Sequence, residues 1–269
     1  MNLKSKIALA TLTLIASGAA FAQAKAPEPD YTLAYNIGAV SDYRFRGITQ
    51  TNYGAAVQGG VDFAHKSGIY LGVWASNVNW VKQVNGASKG DYEVDLYGGY
   101  KGEIKPGLSY DVGLITYQYP GNDSGQASSQ LGAGAYSNAS TNEFYGALTW
   151  GITTLKYNQS LGDFLGNPLS NASRYWDLSA NFDLTNGYSL VPHVGRQTPP
   201  SGAGVPLDNA SYNDFALTLG KDFGNGITAS LAYYYTTADQ TFYVNQGAPA
   251  GDGKYIGKSG AALGVKYTF

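Results

Sequence analysis

The chain has 269 residues, and only 13% of them are charged, against about 25% in ordinary soluble proteins. Gly (36) and Tyr (23) are abundant, Cys is absent, and Met1 is the only methionine. Disulfide scaffolds, thiolate metal sites and cysteine nucleophiles are thereby excluded, and a formal net charge of −2 leaves no surplus of Lys and Arg to neutralise nucleic-acid phosphates.

At the N-terminus, Lys4 and Lys6 precede an apolar run over 7–21, followed by the small-residue triplets Ala20-Phe21-Ala22 and Ala22-Gln23-Ala24. This order predicts a secretory signal peptide over 1–22, cleaved near 22 or 24. Ser17 and Gly18 interrupt a run already shorter than the roughly 20 apolar residues of a spanning helix, which argues against a membrane anchor. Cleavage removes Lys4 and Lys6 and takes the formal charge from −2 to −4. Pro27 and Pro29 make 23–30 a short extended tail on the periplasmic side.

From residue 31 the apolar residues recur at every second position rather than at helical spacing. In the first segment Tyr31, Leu33, Tyr35, Ile37, Ala39, Tyr43 and Phe45 share a face opposite Thr32, Asn36, Asp42, Arg44 and Arg46. The fourth sets Tyr92, Val94, Leu96 and Tyr100 against Asp91, Glu93, Asp95 and Lys101, and the eighth sets Trp176, Leu178 and Phe182 against Tyr175, Asp177 and Ser179. Twelve such segments are predicted, at about 31–46, 55–65, 69–80, 91–102, 108–119, 142–150, 152–160, 174–183, 188–197, 212–223, 227–236 and 259–269. Their connections alternate between tight turns, such as Thr185-Asn186-Gly187 and Gly224-Asn225-Gly226, and long loops rich in Gly, Ser, Asn and Pro.

A soluble sandwich has no reason to keep every long loop at one end, whereas a transmembrane barrel does. In a bilayer every backbone donor and acceptor must be paired within the protein, so strands cross only as a closed sheet. The expectation is therefore an all-β fold: a closed antiparallel transmembrane β-barrel over 31–269, of about 12 strands, with both termini periplasmic. Tyr31, Tyr100 and Tyr267 are expected at its inner aromatic girdle, and Tyr43, Phe45 and Tyr92 at the outer one. The last segment, with Ala261, Leu263, Val265, Tyr267 and Phe269 on one face and an aromatic at the end, looks like a barrel-assembly signal of bacterial outer-membrane proteins, carried by Tyr267 and Phe269.

Segments 36–47 (NIGAVSDYRFRG), 74–78 (WASNV), 93–102 (EVDLYGGYKG), 117–121 (YQYPG) and 143–149 (EFYGALT) resemble the TorF-like porins of proteobacteria, a similarity running from about residue 31 to the C-terminus. The resemblance implies an outer-membrane location in Gram-negative bacteria and a pore. It supplies no catalytic residues and no substrate.

Twelve strands lie between small barrels filled by side chains and wide aqueous porins. Asp42, Arg44, Arg46, Glu93, Asp95, Lys101, Asp111, Lys156 and Asp177 are the candidate pore-lining charges, passing small polar or ionic solutes by passive diffusion through a narrow lumen. The alternative is that these charges pair and plug the bore, leaving a structural or surface-display barrel. Arg44 and Arg46 are expected to favour anions at the mouth. Arg174 and Arg196, on the face of Trp176 and Val194, are expected to contact phosphates of the outer membrane lipid and lipopolysaccharide. The loop aromatics Phe164, Phe242 and Tyr243 either belong to a display surface or fold inward to narrow the pore.

An outer-membrane hydrolase needs a positioned base. His65 falls in a turn beside Ser67, and His193 reads as a solitary lumen histidine. Glu93 and Asp95 point the same way and are able to share a proton or a cation, but in a hydrated lumen they read as pore electrostatics. No enzyme activity, metal site or cofactor is expected. The expected partners are membrane lipid, the barrel-assembly machinery and small polar solutes, with no nucleic acid and an undetermined oligomeric state.

Overall fold

The computed structural model describes residues 29–124, 136–200, 207–247 and 250–269. The expected signal peptide, most of the expected tail and the centre of the 120–141 segment lie outside them. Twelve antiparallel strands form one closed sheet: β1 Tyr31–Val40, β2 Ala56–His65, β3 Ile69–Asn77, β4 Tyr92–Lys105, β5 Leu108–Gln118, β6 Thr141–Trp150, β7 Thr153–Ser160, β8 Arg174–Ala180 continued by Phe182–Asp183, β9 Tyr188–Thr198, β10 Tyr212–Gly224, β11 Ile227–Thr236 and β12 Gly260–Thr268. Each strand pairs with its chain neighbours. The seam closes between β1 and β12, where Asn36 faces Thr268 and Val40 faces Gly264.

The tight turns form because the chain supplies residues that tolerate left-handed backbone. Asn186 and Gly187 (φ 50° and 77°) and Asn225 and Gly226 (φ 53° and 79°) reverse the chain between β8 and β9 and between β10 and β11. β8 is interrupted at Asn181. The strand beside it carries Pro192, which has no N–H to donate, and the β8–β9 ladder breaks between the pairs Ser179–His193 and Phe182–Leu190.

The burial pattern is inverted relative to a soluble protein. Ile37, Leu71, Leu114, Leu148, Leu217 and Leu263 stand exposed on the outside, while Glu93, Glu143, Asp214 and Asn158 are buried on the inside. Exposed apolar side chains on every strand of the sheet are what a soluble surface avoids. No described helix is long and apolar enough to cross a membrane.

The first strand is shorter than its alternation predicts. It ends at Val40, and 41–55 turn into the barrel as a miniature hairpin in which Arg44–Phe45 pairs with Ile48–Thr49. Arg46 and Gly47, both at positive φ (48° and 79°), make its two-residue tip. Asp42, Arg44 and Arg46 are thus residues of an inserted loop and not of the barrel wall, and Tyr43 and Phe45 belong to the interior rather than to an aromatic girdle. Tyr31, Tyr92, Tyr100 and Tyr267 stay exposed on the outer face.

Candidate functional site: a hairpin across the bore

The hairpin is held at its tip by Arg46. Its Nη2 donates to Glu143 Oε2 on β6 at 2.6 Å and its Nη1 to Gln197 Oε1 on β9 at 2.8 Å. The guanidinium plane lies near the rings of Phe45, Tyr175 and Phe164, at 4.7, 4.3 and 5.1 Å from their centroids. Burial works against the Arg46 charge, and the adjoining Glu143 carboxylate overcomes it, so the guanidinium holds its proton more firmly than in water. Glu143 is completely buried and also accepts from Tyr117 Oη at 3.1 Å.

Arg44 braces the base of the same hairpin. It donates through Nε to Asp42 at 2.6 Å and through Nη1 to the carbonyls of Gly47 and Lys258, between the rings of Tyr53 and Tyr234. Asp42 also accepts from Thr49 Oγ1 at 2.5 Å. Gly47 presses so closely on the wall that a Cβ there would lie 2.6 Å from Thr236 Cγ2 and 2.8 Å from Asp214 Cβ. On the other flank Tyr43 donates to Glu93 at 3.0 Å and packs edge-on against Trp74, and Phe45 packs edge-on against Tyr117. Residues 41–55 therefore touch strands from β3 round to β11 and cross the barrel at its long-loop end.

The remaining candidate charges fall into two groups. Glu93 and Asp95 sit behind the hairpin. Each is almost fully buried and keeps one oxygen without a hydrogen-bond partner, and neither forms an ion pair among the described residues. Lys101, Asp111, Lys156 and Asp177 line an open cavity of about 430 Å³ toward the short-turn end. A second cavity of about 580 Å³ there is lined by Gln58, Ser230, Lys266 and neighbours, and a third of about 360 Å³ lies against the hairpin itself, between Arg46, Lys156, Asp177 and His193.

His193 is not the solitary histidine of the sequence expectation. Its Nδ1 lies 3.1 Å from Asp177 on β8 and its Nε2 lies 2.8 Å from Asp214 on β10, with Tyr175 Oη 3.1 Å away. A doubly protonated imidazolium satisfies both carboxylates. Both nitrogens thus face carboxylates, and the hydroxyl beside them is that of a tyrosine rather than a serine. His65 pairs with Ser67 Oγ at 2.8 Å in an exposed turn. Among the described residues no group of three or more His, Asp or Glu is arranged to hold a metal.

Gly195 makes the His193 cluster possible, because a Cβ there would overlap Tyr175 Oη and stand 2.5 Å from Asp214 Oδ2. Gly195→Ala is expected to cost about 1–3 kcal/mol by overpacking, measured as a lowered urea midpoint. Gly146→Ala, whose added methyl meets only Val112 at 3.9 Å, is expected to leave that midpoint in place.

On the outer face, Arg174 and Arg196 are exposed near the long-loop ends of β8 and β9, and Arg196 Nη1 donates to Asn213 Oδ1 at 3.2 Å. Phe269 stacks on Tyr35 and Tyr267 at 5.8 and 5.3 Å.

A closed twelve-stranded barrel with an apolar exterior, a charged interior and a loop folded into its bore is the architecture of a porin-type β-barrel. The chain belongs to the family described as "Bacterial protein of unknown function (Gcw_chp)", whose model matches residues 23–269. No curated protein matches it in sequence. Among solved structures it is similar to the KdgM porin, with 7% identity, 88% of this chain and 99% of that one covered and a TM-score of 0.51. It is also similar to the NanC porin, with 11% identity, the same coverage and a TM-score of 0.51. At these identities the likeness is one of fold.

Proposed function

We propose that the chain is an outer-membrane channel of the porin kind, passing small polar or ionic solutes by diffusion, with the 41–55 hairpin as its constriction. In this arrangement the apolar belt meets lipid, the long loops face the exterior and both termini face the periplasm. The observation that carries the proposal is the division of the bore: a hairpin crosses one end, while polar, charge-lined cavities of several hundred Å³ occupy the rest. A core built only for stability would close such cavities, as small barrels do with their own side chains.

Lys101, Asp111, Lys156 and Asp177 line the wide part in this proposal. Asp42, Arg44, Arg46, Glu93 and Asp95 form the narrow part. Because Arg44 and Arg46 already carry carboxylate partners, we assign them to holding the constriction rather than to attracting anions. We assign Arg174 and Arg196, exposed near the long-loop ends of their strands, to lipopolysaccharide phosphates, and Tyr267 with Phe269 to recognition by the barrel-assembly machinery. Of the segments that carry the TorF-like resemblance, 36–47 supplies Asp42, Arg44 and Arg46 and 93–102 supplies Glu93 and Asp95 to this narrow part, whereas Lys101 belongs to the wide one.

The second reading, a plugged barrel, is favoured by one observation: the Arg46–Glu143 bridge ties the hairpin to the wall opposite its origin. Planar-bilayer recording separates the two. Purified protein is expected to give discrete conductance steps, smaller than those of wide porins. Correctly folded protein that gives none establishes the plug.

A further inference from the structure

One row of the sheet carries charges of alternating sign into the wide part of the bore. Lys101 on β4 faces Asp111 on β5, Asp111 faces Ala147 on β6, Ala147 faces Lys156 on β7, and Lys156 faces Asp177 on β8. All five residues line the cavity of about 430 Å³. Directly opposed residues of neighbouring antiparallel strands have Cα atoms only about 4.5–5.5 Å apart, so each Lys–Asp rung is within reach of an ion pair.

Neither rung closes. Among the described residues Lys101 and Lys156 take part in no ion pair. Instead Lys101 Nζ stands over the Tyr70 ring, 5.3 Å from its centroid, and Lys156 Nζ over the Tyr145 ring at 4.2 Å. Tyr70 Oη donates to Asp111 Oδ1 at 2.5 Å and accepts in turn from Tyr145 Oη. On Asp177, His193 Nδ1 lies against Oδ2. Asp111 Oδ2 and Asp177 Oδ1 are therefore left without a partner among the described residues. All four charged side chains are partly exposed to the cavity. A row that served stability alone would pair each lysine with the aspartate opposite it. Here the tyrosines hold the lysines apart from the aspartates, and both signs are displayed side by side to one opening.

We propose that this row is a weak binding track for small zwitterions of the α-amino-acid type, a substrate class that rests on the channel reading above. The solute's carboxylate meets a lysine and its ammonium group the open aspartate oxygen of the same rung. In an α-amino acid the two groups sit on one carbon, which matches charges carried on adjacent strands. A simple anion drawn to Lys156 meets Asp177 beside it, and a simple cation drawn to Asp111 meets Lys101. A neutral amide or sugar gains from neither. Ala147 presents only a methyl group between the rungs, so Lys101–Asp111 and Lys156–Asp177 act as two separate stations. Attraction between partly exposed charges is modest, which suits passage, since conduction requires a site that lets its occupant leave.

The test uses two isomers of the same size, alanine, which is a zwitterion, and lactamide, which is neutral. Their isotope-labelled forms are presented at low concentration to lipid vesicles holding the full-length protein, and entry into protein-free vesicles is subtracted. Alanine is expected to enter about threefold faster than lactamide, the scale of effect that exposed ion pairs give, and raised salt is expected to shrink the ratio. The double variant Lys101→Gln with Lys156→Gln is expected to bring the ratio to about one, whereas Lys101→Arg with Lys156→Arg, which keeps both cations, is expected to retain it. Heat-modifiable gel mobility shows that each variant is folded. A wild-type ratio of one, with lactamide entering, overturns this inference and leaves the channel standing. So does a ratio that the glutamine variant keeps, or that the arginine variant loses as fully as the glutamine variant. Entry of neither isomer through folded protein overturns the channel reading, and this inference with it.

Discussion

Arg46→Ala is expected to raise single-channel conductance severalfold while leaving the barrel folded. The substitution removes the 2.6 Å bridge to Glu143, the bond to Gln197 and three ring contacts at once. It leaves a fully buried carboxylate whose remaining partner is Tyr117. Breaking a buried pair from one side costs about 3–5 kcal/mol, and that strain falls on the hairpin, since no barrel rung includes Arg46. Arg46→Lys keeps the charge but loses the fork geometry, and is expected to open the channel less. The double variant Arg46→Ala with Glu143→Gln removes the stranded charge and is expected to restore stability without restoring closure. Planar-bilayer conductance together with gel mobility checks all three. A folded Arg46→Ala protein with wild-type conductance would show that the hairpin does not set the bore.

The second large effect tests which face meets lipid. Leu217 and Thr218 are neighbours near the middle of β10. Leu217 is exposed on the apolar side opposite Pro192 and Tyr233, while Thr218 faces the interior cavity beside the hairpin. Leu217→Arg is expected to destabilise the barrel in lipid vesicles by about 2–4 kcal/mol, the cost of an arginine at the bilayer midplane. Thr218→Arg, entering a hydrated lumen with Asp177 and Asp214 nearby, is expected to cost about 1 kcal/mol or less. Equilibrium urea titration in vesicles gives both values. Equal costs would mean that the outward row is not in hydrocarbon.

Much of this was visible in the sequence because period-two alternation reports a local fact, the pleat of the strand. The strands form in the segments that alternation marks, except that the first stops at Val40 instead of running on to 46. The exceptions are informative. Tyr43 and Phe45 keep the beat of the first strand although they lie beyond its end, because the hairpin's aromatic face is also buried against aromatics, Trp74 and Tyr117. Arg46-Gly47, a two-residue tip able to adopt positive φ, was the signal of a reversal inside that segment. The interruption of β8 was encoded on the neighbouring strand, in Pro192. The partners of His193 come from β8 and β10, and those of Arg46 from β6 and β9. No spacing along the chain announces them, since they exist only once the sheet has closed and brought distant strands to one lumen.

The seat of the hairpin also puts it under cover. The helical turn Trp80–Gln83, in the loop between β3 and β4, packs through Trp80 on Tyr119, and Phe45 rests against the same group of side chains. Ile48 is covered in turn by Ala238, Tyr243 and Ile256 from the loop between β11 and β12. Residues 41–55 thus lie beneath the later loops, as a mandrel lies beneath what is wound on it.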